Sequence, residues 1–220
     1  MDNAYILSHV DHTLLSAAAS WEDIKQICDE AIEYKTASVC IPPVYVKSIR
    51  EAFPELNICT VIGFPLGYDV ISVKAVAVHT ALESGANEID MVVNIADVKN
   101  NEFAMVATEV GVLKQITGSR ILKVIIETCY LTEEEKITLC KIITEAGADY
   151  IKTSTGFGTA GATMDDIRLF KANIGPNVKI KAAGGIRTRE DMVAFLDAGC
   201  GRLGTSSAVK LLTGGTAAAY

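Results

Sequence analysis

Three lysines stand inside runs that otherwise read as strands. They are Lys123 in Leu122-Lys123-Val124-Ile125-Ile126-Glu127, Lys152 in Tyr150-Ile151-Lys152-Thr153-Ser154-Thr155-Gly156-Phe157-Gly158, and Lys181 in Ile180-Lys181-Ala182-Ala183-Gly184-Gly185. Burying an ammonium is costly unless it is paired or gives up its proton. One such lysine on its own most often marks the exposed face of an edge strand. Three on consecutive strands, in a chain whose outward strand positions are covered by helices, point inward. A buried lysine beside a second cation is driven toward its neutral form by desolvation and like-charge repulsion, which frees an amine to attack a carbonyl near neutral pH. Asp90 adds a carboxylate able to shuttle a proton, directly or through water. Lys123 and Glu127 are four residues apart and so on one face, which allows an ion network, and Asp11 at the end of the first strand can balance one of the lysines.

A second cluster is rich in glycine and hydroxyls. Gly184-Gly185-Ile186-Arg187-Thr188 follows the seventh strand and Gly204-Thr205-Ser206-Ser207 the eighth, and a helix follows each. Backbone N–H groups at helix N-termini cradle phosphate, and in barrels of alternating strands and helices phosphate sits after strands seven and eight. The expected phosphate donors are therefore Gly184, Gly185, Gly204, Ser206 and Ser207, with Thr155 and Gly156 adding a further one.

The elements that must hold these groups alternate along the chain. Strands are expected at Val10-Asp11, 37–41, 58–62, 88–93, 121–127, 150–152, 178–182 and 202–204. Helices are expected from about Ser20, over 70–82, 102–115, 132–146, 164–171, from Thr188, and over 206–212. The helix from Ser20 presents Trp21, Ile24, Ile27, Ala31 and Ile32 on one face. Thr132 and Thr188 each open a helix on capping-box logic. Eight strands, with helices between or after them, imply a closed parallel barrel, α/β in class.

An internal repeat supports that reading. Glu83 to Asp90, Glu145 to Lys152 and Asp197 to Gly204 each run from a helix end through glycine into a strand, and Glu33 to Cys40 keeps the register with Lys35 in the glycine position. Superposed, the units place Cys40, Asp90, Lys152 and Gly204 at equal depth on four strands, sharing one face.

The 220 residues, half of them hydrophobic, suffice for one domain. The net charge of −7 argues against nucleic acid and anionic membranes as partners, so an anionic ligand needs a local site. No signal peptide is expected, since Met1-Asp2-Asn3-Ala4-Tyr5 has no basic region, and no apolar run is long enough to span a bilayer. Six scattered cysteines without a C-x-x-C pair fit a reducing cytoplasm, and His9, His12 and His79 have no ligand spacing, so no metal is expected.

Taken together, Lys152-Thr153-Ser154-Thr155-Gly156, Glu88-Ile89-Asp90-Met91-Val92-Val93-Asn94, the Lys123 strand and Lys181-Ala182-Ala183-Gly184-Gly185-Ile186-Arg187-Thr188 closely resemble the deoxyribose-phosphate aldolase family. The likeness runs from Asp11-His12-Thr13 through Ser38-Val39-Cys40 and Gly63-Phe64-Pro65 to Gly204-Thr205-Ser206-Ser207, nearly the whole chain, with Pro42 departing from the family's more usual asparagine. It implies a single (β/α)8 TIM barrel over 1–220 with a short N-terminal extension and a flexible tail from 213 to 220. It implies a cofactor-free class I aldolase of deoxyribose phosphate catabolism, which reversibly cleaves 2-deoxy-D-ribose 5-phosphate to D-glyceraldehyde 3-phosphate and acetaldehyde. Carried over by motif, Lys152 is the Schiff-base nucleophile, Lys181 the cation that favours its neutral amine, Asp90 the proton relay and Tyr220 a tail group assisting proton transfer. Cys40, near the substrate end of the second strand, is either a site of aldehyde inactivation or a buried core thiol. A homodimer is open to such a chain.

Two other readings fit parts of the pattern. A phosphosugar isomerase or synthase shares the phosphate site but works through carboxylates, and a non-catalytic phosphosugar-binding barrel needs no nucleophile. Neither accounts for two cations in one apolar barrel. A metal-dependent aldolase lacks its histidine cluster.

Overall fold

The computed structural model describes residues 1–214. In chain order the elements are α1 (Asn3–Leu7), β1 (Val10–Thr13), α2 (Trp21–Glu33), β2 (Ser38–Ile41), α3 (Val46–Ala52), β3 (Ile58–Ile62), α4 (Ile71–Glu83), β4 (Glu88–Val92), α5 (Ile95–Lys99) and α6 (Phe103–Thr117). They continue with β5 (Ile121–Ile125), α7 (Glu133–Glu145), β6 (Tyr150–Lys152), α8 (Met164–Asn173), β7 (Lys179–Ala183), α9 (Arg189–Asp197), β8 (Arg202–Thr205) and α10 (Ala208–Thr213). The strands close into a barrel in chain order, every neighbouring pair parallel. This is the expected (β/α)8 architecture. Three helices among the described residues were not placed from the sequence: α1 is the N-terminal extension, α3 follows β2, and α5 precedes α6 in the connection after β4.

The repeat is built as the spacing implied. Gly85, Gly147 and Gly199 end their helices at φ of 107°, 70° and 104°, and Lys35 adopts the same left-handed region at 52° without being glycine. Thr132 with Glu135 and Thr188 with Asp191 form complete capping boxes.

Alternation and register sort the inward positions into rings of four from alternate strands. Nearest the strand N-termini come Ser38, Glu88, Tyr150 and Arg202. Next come Asp11, Cys59, Lys123 and Lys181, then Cys40, Asp90, Lys152 and Gly204, and above them Thr13, Val61, Ile125 and Ala183. Outward positions such as Val39, Ile89, Val124, Ile151, Ala182 and Leu203 form the main hydrophobic core with the helices. The barrel interior is therefore ionic at mid-depth and its mantle apolar.

Two boundaries differ from expectation. Ile32 is 52% exposed, and Cys28 takes the buried place beside Ile24 and Ala31, because the stripe of α2 runs 24, 28, 31. Thr213 belongs to α10, its hydroxyl donating to Val209 O at 2.7 Å, so the tail begins no earlier than Gly214. Tyr220 and the rest of the expected tail from 215 lie outside the described residues.

One buried ion pair was not anticipated. Lys74 of α4 lies fully buried on the stripe with Val78 and Ala81, and its Nζ is 2.5 Å from Glu109 Oε1 of α6. It also donates to Gly67 O at 2.6 Å and Val92 O at 2.8 Å, while Glu109 Oε2 accepts from Asn94 N at 3.0 Å. The pair thus ties the connections after β3 and β4 together at the C-terminal face. Burial holds the Glu109 carboxyl above its ordinary range despite the Lys74 ammonium. Lys74→Met leaves that carboxyl without its cation and is expected to cost about 3–5 kcal/mol in urea unfolding. Lys74→Met with Glu109→Leu should recover most of the loss, and an undiminished loss in the double variant would contradict this account.

Candidate active site

Asp90 is the hub of the barrel interior. Its Oδ2 accepts from Lys152 Nζ and Lys181 Nζ, both at 2.7 Å, and its Oδ1 from Lys123 Nζ at 2.8 Å and the Cys59 thiol at 3.2 Å. Asp11, on β1, accepts from the Ser38 hydroxyl at 2.7 Å and is bridged by Lys181 and by Arg202. Lys123 also reaches Glu88 Oε2 at 2.6 Å, and Arg202 NH1 is 3.1 Å from the same oxygen. These side chains come from all eight strands, and each is at least nine-tenths buried. The sequence-predicted Lys152, Asp90, Lys181, Lys123 and Asp11 are thus brought together.

The electrostatics divide the cations. Burial disfavours the charged form of Lys181, but the Asp11 and Asp90 carboxylates outweigh it and hold its ammonium above the ordinary lysine range. Lys123 is likewise held above the ordinary lysine range, against burial, by Asp11, Asp90 and Glu88. Burial likewise raises both aspartates, yet Lys123 and Lys181 beside them, with Arg202 at Asp11 and Lys152 at Asp90, bring each carboxyl below the usual carboxylate range. Counted as ionised, Lys123, Lys152, Lys181 and Arg202 face only Asp11, Glu88 and Asp90. The cluster is neutral once one cation gives up its proton, and Lys152 alone of the three lysines has a single carboxylate partner.

A pH dependence follows. A carboxyl with a depressed native-state value contributes stability that is complete above its unfolded value, about 3.9 for aspartate, and is lost as pH falls through the native one. Urea unfolding is therefore expected to give a stability that holds down to about pH 5 and then falls steeply below about pH 4. Stability unchanged across that acid range would show that Asp11 and Asp90 are not held ionised.

The other predicted residues fall out differently. Cys40 is fully buried, in register with Cys59 on the next strand, at the depth of Asp90 and Lys152. Glu127 does not pair with Lys123: it lies beyond β5 with φ at 52°, which breaks the alternation, and its carboxylate accepts from the Thr155 N–H at 3.2 Å and from the Thr155 hydroxyl. Burial pushes its carboxyl up. Both donors of Thr155, expected to face phosphate, are turned to Glu127. Gly204 lies within β8 and faces inward: an added Cβ would come within 3.0 Å of Lys181 Cε, so its bareness makes room for that lysine.

Gly184 and Gly185 do form an open turn, at φ of 78° and 75°, against which Gly161 packs so closely that a Cβ there would sit 2.2 Å from Gly184 O. The turn is separate from the α9 N-terminus, whose Arg187 and Thr188 N–H groups both donate to Asp191 at 3.0 Å. Ser206 and Ser207 lead into α10, with the Ser207 N–H and hydroxyl turned to Thr205 Oγ1 at 3.2 and 3.1 Å. Gly156 borders the same turn, its Cα 3.4 Å from where a Gly184 Cβ would lie.

Sequence reasoning passed over Glu88 and Arg202. The repeat held the signal, since both stand two residues before an inward position, Asp90 and Gly204, and alternation carries them to the same face. Two groups of side chains have metal-ligand proximity, Cys40 with Cys59 and Asp90, and Asp11 with Cys59 and Glu88. Lys123 Nζ lies within 3.5 Å of an atom from each member of the second group, so an ammonium already fills that place. No helix among the described residues is long and apolar enough to cross a membrane.

With this geometry in hand, comparison with known proteins is direct. The profile described as DeoC/LacD family aldolase matches residues 5–208. A deoxyribose-phosphate aldolase of Clostridium botulinum (strain Alaska E43 / Type E3) is 64% identical over 215 residues, covering 97% of each chain. A putative deoxyribose-phosphate aldolase structure from Coccidioides immitis superposes with a TM-score of 0.93 at 36% identity, over 97% of this chain and 87% of that one. The Aeropyrum pernix deoxyribose phosphate aldolase, described as a unique tetrameric structure, gives 0.90 at 34% identity, over 96% and 91%.

Proposed function

The chain belongs to the DeoC/LacD family of aldolases, and from that premise we propose that it reversibly cleaves 2-deoxy-D-ribose 5-phosphate to D-glyceraldehyde 3-phosphate and acetaldehyde through an imine on Lys152. The observation that carries this is one carboxylate oxygen, Asp90 Oδ2, at 2.7 Å from both Lys152 Nζ and Lys181 Nζ.

Lys152 acts as the free amine. Lys181, kept cationic by Asp11 and Asp90, makes a second ammonium beside it unfavourable. The amine adds to the open-chain aldehyde, and Asp90 carries the proton that lets the carbinolamine lose water. The iminium then draws the electrons of the bond between the second and third carbons as the third-carbon hydroxyl gives up its proton. D-Glyceraldehyde 3-phosphate departs, leaving an enamine on Lys152. Protonation of the enamine carbon and hydrolysis release acetaldehyde and restore the amine. The assistance of Tyr220 in that protonation rests on the family resemblance. The Gly184-Gly185 turn and the N–H groups near Ser206 hold the phosphate, fixing the scissile bond beside Lys152.

The chain works as one catalytic unit over 1–220, in the cytoplasm, in deoxyribose phosphate catabolism. Its six free cysteines suit a reducing compartment. Self-association as a homodimer is part of the proposal. The direct test supplies 2-deoxy-D-ribose 5-phosphate to the protein in a chelator-containing buffer and follows acetaldehyde release. Cleavage is expected at undiminished rate with the chelator, whereas absence of acetaldehyde, or dependence on added metal, would contradict the reading.

A further inference from the structure

Among the described residues three buried side-chain atoms have no hydrogen-bond partner: His12 Nδ1, Thr128 Oγ1 and Ser154 Oγ. A buried hydroxyl left unpaired costs free energy, so each instance asks for a reason. His12 faces outward from β1 toward α2, where its Nε2 meets Glu30 at 2.7 Å. Thr128 begins the turn after β5. Ser154 differs, because it stands two residues beyond Lys152 and the extended backbone continues through Thr153, whose N–H donates to Lys181 O at 3.1 Å. Alternation therefore carries Ser154 onto the inner face, one step above Lys152 toward the C-terminal mouth.

Its surroundings suit an anion. The Ser154 Cβ lies 3.6 Å from where a Gly184 Cβ would stand, with the Gly161 and Gly156 α-carbons at 3.1 and 3.4 Å, so the Ser154 side chain packs beside the Gly184-Gly185 turn among bare glycine backbone. Neither Gly184 nor Gly185 donates its N–H to any acceptor among the described residues. Thr155, the neighbouring hydroxyl, is occupied by Glu127. Ser154 is thus the hydroxyl of this loop that is free to give a hydrogen bond.

We infer that Ser154 is a substrate-binding residue whose hydroxyl donates to the phosphate group of the sugar phosphate, alongside the Gly184-Gly185 turn; this rests on the aldolase reading above. The unpaired hydroxyl is kept at a cost to the empty protein because the ligand completes it.

The test is Ser154→Ala, compared with the unaltered protein on 2-deoxy-D-ribose 5-phosphate and on unphosphorylated 2-deoxy-D-ribose, with inorganic phosphate as competitive inhibitor. The variant is expected to raise KM for the phosphorylated sugar and the inhibition constant of phosphate roughly tenfold. Turnover of the unphosphorylated sugar should be unchanged, and Tm without ligand should rise by about 2–4 °C as the unpaired hydroxyl is removed. Unchanged KM and inhibition constant, or an equal loss on both sugars, would overturn the assignment to phosphate. A lowered Tm would overturn the claim that the hydroxyl is unpaired in the empty site. An unaltered protein that cleaves neither sugar would bring down the aldolase reading and this inference with it, an outcome distinct from normal wild-type cleavage with an indifferent Ser154→Ala.

Discussion

Lys152→Arg is expected to abolish cleavage of 2-deoxy-D-ribose 5-phosphate, with a fall in kcat on the order of 10⁵-fold or more, the scale at which loss of a covalent nucleophile registers. Arginine keeps N–H donors within reach of Asp90, so the fold should persist, but it places a permanent cation where Lys152 is a neutral amine and so costs some stability. It cannot form the imine, because a guanidinium does not give up its proton at accessible pH. Circular dichroism of the variant should therefore stay close to the parent, with a modest fall in urea stability, while activity disappears. Retention of even a few per cent of turnover would mean that another group attacks the aldehyde.

Lys181→Met carries the second largest effect and should act on both stability and rate. Lys181 bridges Asp11 and Asp90, and its removal leaves two buried carboxylates short of a donor, at an expected cost of about 3–5 kcal/mol. The same change removes the fixed cation beside Lys152, and the amine no longer has that reason to stay neutral. Turnover near neutral pH is expected to fall by roughly 10²–10⁴-fold, the range for a lost proton-transfer arrangement, and to recover in part as pH is raised. A merely structural lysine would lower the amount of folded enzyme without changing the shape of the pH–rate profile. A profile superimposable on the parent's would remove Lys181 from the chemistry.

Much of the site was legible because its geometry is periodic. The repeat ending in Cys40, Asp90, Lys152 and Gly204 defines one ring of the interior, since the same helix end and strand start recur and alternation does the rest. The lysines were visible as charges inside apolar strands. The partner assignments were less accessible. That Glu127 turns away from Lys123 depends on a left-handed backbone at a non-glycine residue, which spacing along a strand does not reveal. That Asp191 takes the N–H groups ahead of α9 follows from the capping box, whose presence was readable but whose competition with phosphate was not weighed. Lys74 and Glu109 are 35 positions apart and meet only when α4 packs on α6. Each of these is a long-range or backbone effect that local spacing does not carry.

The reaction turns on the nitrogen that holds the substrate carbon. Incubation with acetaldehyde and borohydride, followed by peptide mass analysis, should reduce an imine to a stable ethyl adduct on the peptide carrying Lys152, with Lys181 and Lys123 unmodified. Absence of an adduct, or an adduct that maps to another lysine, would contradict the central claim.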